Sequence, residues 1–437
     1  METLLYIGGL LFMLVGLAVS IALHEIGHLV PAKLFGVRVG QYMIGFGPRV
    51  WSRRFGETEY GFKALPLGGY ISMSGMYPPS TAGKPARGLF RTLVQDARSA
   101  NDETIVDGDE SGVFYQLPVW KRIIVMLGGP FMNLALAVVI FSVLLSGIGL
   151  EQGTTRIATV SECVLPAGST QTMCTPDDPA APAAEAGFMP GDTLISVDGE
   201  PMHDFAEATA IVQASPGVPL EVVVERAGER QTLTLTPIAA ERPMSDDAGR
   251  PLLDENGDRV TKTVGYAGLG AQIGFVPQPL TAGPELAAQN VSAVASLVIN
   301  LPARLWDVGV SLFTGSERDP NGPLSVVGVG RIAGEVAATD APVTNRLVFL
   351  LSLLGSLNIA LFVFNLIPLL PLDGGHVVVA LWDGLRRAWA KLFRRPPPAP
   401  VDATRLVPLT VIVAVLLIGM GALLLVADLF NPVKLFG

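Results

Sequence analysis

The first apolar segment of the sequence constrains the fold more than any other stretch, because it contains no charged side chain from Thr3 to Leu23. A helix needs about 20 consecutive apolar residues to cross the hydrocarbon core of a bilayer. The segment ends directly on the run His24-Glu25-Ile26-Gly27-His28. Ionisable side chains at membrane depth are costly and usually functional. We therefore predict a first transmembrane helix over residues 1–32 that carries a reactive site towards its end.

The two histidines of this run have the spacing of metal ligands. Positions i and i+4 of a helix lie on one face, so His24 and His28 can reach one tetrahedral zinc ion. Glu25 would then stand beside a water molecule activated by the metal and act as its general base. The alternative is a chance match to a short pattern. Only four histidines occur in the whole chain and two are here, which favours a zinc site.

Composition indicates a membrane protein with several spans. Half of the 437 residues are hydrophobic and only 16% are charged, and the mean hydropathy is +0.47. The net charge of -9, without a polybasic tract, gives no reason to expect a nucleic acid as a partner. The first segment lacks a cationic start and a small-residue cleavage site, so it is not expected to be a removable signal peptide. Four stretches are long and apolar enough to span, namely residues 4–30, 123–148, 347–380 and 406–427.

Basic residues predict the orientation of these spans. Twelve Lys and Arg lie between Lys33 and Arg122, and six lie between Arg386 and Arg405, whereas none precedes the first span. Because basic loops stay in the cytoplasm, both connections are predicted to be cytoplasmic. Both termini and the region from about 151 to 346 are then extracytoplasmic, in a multi-pass protein of the plasma membrane.

Two motifs lie in the first cytoplasmic connection and in the span that follows it. Residues 42–73 are rich in Gly, aromatic and β-branched residues, and the run from Tyr60 to Ile71 within them predicts two short strands with a turn, which could lean into the bilayer edge or form an ordinary surface hairpin. The second span opens with Gly128-Gly129-Pro130-Phe131-Met132-Asn133. Small residues allow another helix to approach closely, and Asn133 can hydrogen-bond across a helix interface. Helix packing and direct contact with the site are both compatible with this motif.

The region between the second and third spans begins with the only two cysteines, Cys163 and Cys174. On the predicted oxidising side of the membrane, a bridge between them is the simplest interpretation, while two free thiols or a bridge to another subunit remain open. The following run, Ala184 to Glu200, resembles bacterial PDZ domains, which bind extended peptides on a sheet edge. From Leu286 to Ala303 the chain is uncharged, as another span would be. If it crossed the membrane, however, the outer region and the basic segment 386–395 could not both lie on their predicted sides. A helix lying on the membrane surface is therefore the better prediction.

The third apolar segment contains Asn365, Pro368, Pro371, Asp373 and His376. A helix broken by proline and glycine is tolerated in a membrane only where it is buried in protein or lines a wet cavity. Asp373 is the predicted third zinc ligand, with His376 as the competing candidate. Asn365 is a candidate for holding a substrate backbone, although an asparagine that packs helices is the alternative.

Together, the His24 to His28 motif, the Asn365 to Gly375 motif and the PDZ-like run resemble the site-2 protease family of intramembrane zinc metalloproteases. The likeness is greatest to the bacterial branch that regulates sigma-E responses, in its actinobacterial form with one PDZ domain. It implies zinc ligands His24, His28 and Asp373, the base Glu25, and substrate-binding residues Asn365 and Pro368. It also implies that the Gly61 to Ser74 hairpin is membrane-associated. This sequence departs from the common spacing in having its second proline at Pro371.

The fold class predicted from these features is a multi-spanning α-helical membrane protein with four transmembrane helices, an inserted α+β PDZ domain and a membrane-associated β-hairpin. Its predicted segments are the first span (1–32), the cytoplasmic hairpin loop (33–120), the second span (121–150), the PDZ region (151–275), amphipathic surface helices (276–345), the third span (346–382), a basic loop (383–404) and the fourth span with the C-terminus (405–437).

The resemblance implies an endopeptidase that cuts single-span membrane proteins in the bilayer. Its typical substrate is an anti-sigma factor that an upstream site-1-type protease has already trimmed. Two alternatives stay open from the residues alone. One is a membrane-anchored PDZ adaptor with vestigial zinc residues. The other is a quality-control protease of the HExxH type that faces the cytosol, for which a glutamate third ligand is expected.

Overall fold

The structure is a computed structural model that describes residues 1–78, 89–105, 112–165, 173–175, 178–243, 260–320, 322–396 and 398–433. The helices are α1 (Glu2–Leu34), α2 (Leu89–Asp102), α3 (Val119–Ser142), α4 (Pro182–Glu185), α5 (Phe205–Ala214), α6 (Ala282–Ile299), α7 (Leu301–Thr314), α8 (Val326–Ala338), α9 (Val343–Asn365), α10 (Asp373–Leu392) and α11 (Val407–Phe430). The strands are β1 (Val39–Phe55), β2 (Thr58–Met73), β3 (Leu150–Val160), β4 (Thr193–Val197), β5 (Glu200–Pro201), β6 (Leu220–Arg226), β7 (Glu229–Leu235), β8 (Ile238–Pro243), β9 (Thr261–Tyr266) and β10 (Leu269–Val276). These elements form two units, Met1–Leu144 with Leu280–Gly437, and Leu145–Pro279.

Four helical segments among the described residues are long and apolar enough to cross a membrane: Glu2–Leu34, Val119–Ile148, Val343–Asn365 and Ala403–Phe430. They fall on the four predicted stretches. The third differs in extent, because α9 ends at Asn365 and the chain turns before α10 begins at Asp373. Asp373 therefore opens a separate helix instead of lying inside the third span. Helices α6 and α7 form a pair bent by 70° that could together make a broken span or a re-entrant loop.

Small and polar side chains hold the helices of the first unit together. A methyl group at Gly9 of α1 would overlap the backbone of Ala333 in α8, so these helices are in backbone contact. The amide of Asn358 in α9 donates to the hydroxyl of Ser20 in α1 at 2.9 Å, and both side chains are fully buried. In lipid, where apolar surface alone does not draw helices together, close packing and interhelical hydrogen bonds supply the attraction.

Strands β1 and β2 pair antiparallel and form a hairpin. It differs from the predicted one, which had two short strands and a turn within residues 60–71, because these residues all lie in β2. Residues 41–44 of β1 have partners on both sides, at 59–62 and at 69–72. They are therefore the inner part of a small folded sheet, and residues 69–73 lie at one edge. The hydroxyl of Tyr42 donates to the carbonyl of Ala22 in α1 at 2.8 Å, which fixes the hairpin to the first helix.

The second unit contains a sheet in the order β10-β3-β4-β6-β7, with β5 paired to β4. Its core consists of inward-facing side chains of the strands together with Phe188 and Ala208 of the flanking segments. Buried Asp192 accepts hydrogen bonds from Arg226 at 2.7 Å, which ties the turn before β4 to the end of β6. A disulfide joins Cys163 and Cys174. Strand β10 pairs with β3 and lies at the edge of this sheet.

Candidate metal centre

The last turns of α1 bring two imidazoles together. His24 and His28 are four residues apart, and their Nε2 atoms are separated by 3.2 Å. Their rings meet edge to face with centroids 4.8 Å apart. His28 is buried and His24 nearly so. Both nitrogens therefore point to one place on the helix face, as the spacing predicts.

Asp373, the first residue of α10, completes the group. Its Oδ2 lies 3.4 Å from Nε2 of His24 and 3.4 Å from Nε2 of His28. This oxygen is buried and has no hydrogen-bond partner among the described residues. Ligands at 2.0–2.1 Å from a tetrahedral zinc ion are separated from one another by about 3.3–3.4 Å. The triangle of two nitrogens and one oxygen therefore has the dimensions of one face of a zinc tetrahedron, and the residues fit the metal.

Helix α3 orients both histidine rings. Nδ1 of His28 lies 2.7 Å from the carbonyl oxygen of Val125, which can only accept, so this nitrogen carries the proton. Nε2 of His28 then keeps a lone pair for a metal. The amide of Asn133 lies 3.1 Å from Nδ1 of His24, and its Oδ1 has no other partner in the described part of the chain. With that oxygen turned towards Nδ1, the His24 N–H donates to it and His24 adopts the same tautomer.

We expect replacement of Asn133 by leucine to weaken zinc binding by about 10–100-fold, the usual effect of removing a group that orients a metal ligand. Leucine keeps the volume but accepts no hydrogen bond from His24. The measurement is zinc affinity of the purified protein by competition with a chelator. Asn290→Leu is the matched control, because that amide is bonded to Leu286 in its own helix and to Ser356 of α9, and to neither histidine. Equal zinc affinity in the Asn133 variant and wild type would contradict the orienting role.

Glycines allow α3 to reach the histidines. A methyl group at Gly129 would overlap the ring of His28, and one at Gly27 would overlap the backbone of Gly128. The two helices therefore cross with no side chain between them at this level. The sequence predicted a close approach and an Asn133 hydrogen bond across the interface, and both are present. It did not identify His24 as the partner of Asn133, nor the Val125 carbonyl, since a backbone atom leaves no signal in a sequence.

Glu25 lies beside the three clustered side chains and against the hairpin. It is buried, and a Cβ atom placed on Gly69 of β2 would lie 3.0 Å from Cγ of Glu25. The edge segment 69–73 of the hairpin thus reaches the candidate base. No feature of the sequence indicated that Gly69 would be the point of contact.

The structure places the remaining candidates outside the three-atom group. The amide of Asn365 donates to the carbonyl of Leu361 in its own helix at 2.9 Å, and Pro368 is exposed in the turn between α9 and α10. The ring of His376 stacks on Tyr77 with centroids 6.3 Å apart. Among the described residues, the group able to hold a metal consists of His24, His28 and Asp373.

Comparison with known proteins finds relatives over most of the chain. The sequence profile of peptidase family M50 matches residues 12–394. The chain is 32% identical to the zinc metalloprotease Rip1 of Mycobacterium tuberculosis strain H37Rv over 99% of its length and 100% of that protein. Rip1 of Mycolicibacterium smegmatis is 32% identical, with 98% of each chain covered. The metalloprotease MmpA of Caulobacter vibrioides is 27% identical over 87% of this chain and 88% of the relative.

Proposed function

Since the chain belongs to peptidase family M50, the site-2 protease family, and is a multi-pass membrane zinc metalloprotease, we propose that His24, His28 and Asp373 hold its zinc and that Glu25 is the general base. The observation that carries this proposal is the triangle of donor atoms with sides of 3.2, 3.4 and 3.4 Å. An aspartate as the third member of the group, where the cytosol-facing quality-control alternative expects a glutamate, also supports it.

Zinc and the side chains of the protein have separate roles in the proposed reaction. Zinc, when bound, supplies a Lewis acid that activates water and polarises a carbonyl group. Glu25 takes the proton of the attacking water and delivers it to the leaving amine. Its burial beside Gly69 excludes bulk water from the carboxylate. Val125 and Asn133 hold the imidazoles in the tautomer that leaves Nε2 free.

The proposed substrate is a single-span membrane protein. A transmembrane helix hides its peptide bonds in internal hydrogen bonds, so cleavage requires local unwinding and a strand edge with which the extended segment can pair. Residues 69–73 are such an edge, and they lie next to Glu25. We therefore assign the hairpin the role of holding the unwound substrate, in association with the membrane.

If contact with the hairpin positions Glu25, Gly69→Val is expected to lower the rate of cleavage by about 10²-fold while zinc stays bound. A valine at this position crowds Cγ of Glu25 and Ile21, and a misplacement of about 1 Å near the chemistry can have an effect of this size. Gly40→Ala is the matched control, because a Cβ there meets only the Ser72 carbonyl at 3.9 Å. The measurements are cleavage of a tagged single-span substrate and zinc content. Wild-type cleavage by the Gly69 variant would show that contact with the hairpin does not position Glu25.

We assign the unit Leu145–Pro279 to a PDZ domain on the extracytoplasmic side, with both termini also outside. The basic residues at 33–122 and 386–405 support this orientation. The resemblance to the sigma-E regulator branch supports an anti-sigma factor as substrate, trimmed first by a site-1-type protease. We infer that this PDZ domain excludes substrates whose outer domain is still attached.

The experiment for this substrate class compares a tagged single-span anti-sigma protein with and without its outer domain, in membranes that contain the wild-type enzyme. We expect the trimmed form to be cleaved at least tenfold faster, a difference of about 1.4 kcal/mol in the barrier. Equal cleavage of both forms would remove the size-exclusion role. Cleavage of neither form, by an enzyme that contains zinc, would remove the single-span substrate class.

A further inference from the structure

Helix α10 has its polar and apolar faces arranged the opposite way to a helix on the surface of a soluble protein. Its inward face carries Asp383, which is fully buried, accepts a hydrogen bond from Arg122 at 2.5 Å and forms an ion pair with Arg387 at 2.9 Å. Its outward face carries seven large apolar side chains, from 45% exposed at Val378 to 74% at Leu392. They are Val378, Leu381, Trp382, Leu385, Trp389, Leu392 and Phe393.

This outward face is a single continuous stripe. Its members recur at intervals of three and four residues, which places them on one side of a helix. Because Arg122 lies in the first turn of α3, the ion pair with Asp383 fixes α10 beside the end of a membrane span. Trp120, at the same end of α3, is 56% exposed. Exposed tryptophans at one end of a span are typical of the membrane interface, so hydrocarbon chains are the partner that fits the stripe.

Some side chains of the stripe also line a groove that has arginine side chains in its wall. Chain direction reverses after α10 through Arg394, whose φ is 50°, and the N–H of Arg395 donates to the carbonyl of Ala390 at 2.8 Å. The reversal brings Arg395 and Pro398 back towards the helix. Together with Trp382, Leu385, Arg386 and Trp389, they line a groove of about 410 Å³.

The charge around this groove lacks a counter-charge within the described chain. No Asp or Glu occurs between residues 384 and 401. None of Arg386, Lys391, Arg394 and Arg395 forms an ion pair with a carboxylate in the residues that the structure describes. Each basic side chain near a membrane surface contributes about 1 kcal/mol of attraction to anionic lipid, which corresponds to roughly fivefold in binding. The fitting partner is therefore both apolar and anionic.

We propose that this groove is a binding site for an anionic phospholipid, with an acyl chain against Trp382, Leu385 and Trp389 and the headgroup phosphate between Arg386 and Arg395. The site lies on the helix that begins with Asp373. A lipid bound there steadies α10 from its outward side, as the Arg122 ion pair does from its inward side. This role is independent of the substrate and of the cleavage chemistry.

The test uses the full chain in lipid nanodiscs and reads tryptophan fluorescence. A parent protein retains Trp382 and Trp389, with the other three tryptophans of the chain changed to phenylalanine. Phosphatidylcholine discs receive an equal, small fraction of either brominated phosphatidylglycerol or brominated phosphatidylcholine, which quench on contact. We expect at least fivefold enrichment of the anionic quencher at the two tryptophans.

Two double variants separate a site from general attraction. Arg386→Gln with Arg395→Gln is expected to remove the preference, whereas Lys391→Gln with Arg394→Gln, which removes the same charge outside the groove, retains it. Equal quenching of the parent by both lipids would overturn the proposal, and so would equal loss of preference in both variants. Displacement of the brominated lipid by soluble glycerol phosphate would show a site for free phosphate and would also overturn it.

Discussion

Replacement of Glu25 by glutamine is expected to reduce cleavage by about 10²–10⁴-fold while the protein keeps its zinc. General acid–base catalysis by a positioned side chain contributes a factor of this size. Glutamine has the volume of glutamate but cannot take a proton from water. Glu25 is not one of the three clustered donors, so the metal ligands are unchanged. The side chain packs against Gly69, and an amide of equal size preserves that contact.

The experiment measures cleavage of a tagged single-span substrate in membranes and the zinc content of the purified proteins. Glu2→Gln is the matched control, because it makes the same change at the exposed start of the same helix. Cleavage at the wild-type rate by the Glu25 variant would remove Glu25 from the role of base. Loss of zinc together with cleavage would instead give Glu25 a part in holding the metal.

The metal centre was predictable from sequence because most of its chemistry is local. His24, Glu25 and His28 lie within five residues of one helix, and helical geometry alone places the two histidines on one face. Asp373 was predictable for a different reason. It is an acid in an apolar segment, and the distribution of basic residues predicts the same membrane depth for that segment and for the histidines. The helical spacing of the histidines and the predicted membrane depth of Asp373 are independent constraints. Together they predicted that two segments far apart in the chain meet.

The end of the third span was not predictable from hydropathy. Residues 366–372 are apolar and continue the pattern of α9, and the first turns of α10 contain a further run of valines. Apolar character does not distinguish a helix that crosses the membrane from one whose apolar face lies along it. The distinction depends on Asp383, which looks like a solvated charge in the sequence but is paired with Arg122 in the fold. Long-range pairing of this kind leaves no periodic signal.

The hairpin was also predictable from the sequence only in part. The composition of residues 42–73 predicted strands in this region, but it placed the turn inside the run 60–71, whereas β1 ends at Phe55 and β2 begins at Thr58. The double pairing of residues 41–44, which sends segment 69–73 to the edge beside Glu25, did not follow from the pattern. Register in a sheet is set by contacts with the surface that it packs against. Here that surface is α1, with Tyr42 bonded to Ala22.

Replacement of Asp373 by alanine is expected to remove zinc and to reduce cleavage to background. The variant leaves two nitrogens where catalytic zinc sites commonly have three protein ligands. Its effect on zinc affinity is expected to exceed the 10–100-fold that follows the loss of a supporting residue. The measurement is zinc affinity by chelator competition, with cleavage assayed on the same preparations.

His376→Ala is the control that decides which residue of the motif is the third ligand. His376 lies one turn along α10 from Asp373 and stacks on Tyr77, so its removal is expected to leave zinc in place. The two possible third ligands predict opposite zinc contents for these two variants, because each variant removes only one candidate donor. Zinc retained without Asp373 and lost without His376 would assign the ligand to His376. That result would require α10 to rotate, since the oxygen of Asp373 is the one that lies 3.4 Å from both histidine nitrogens.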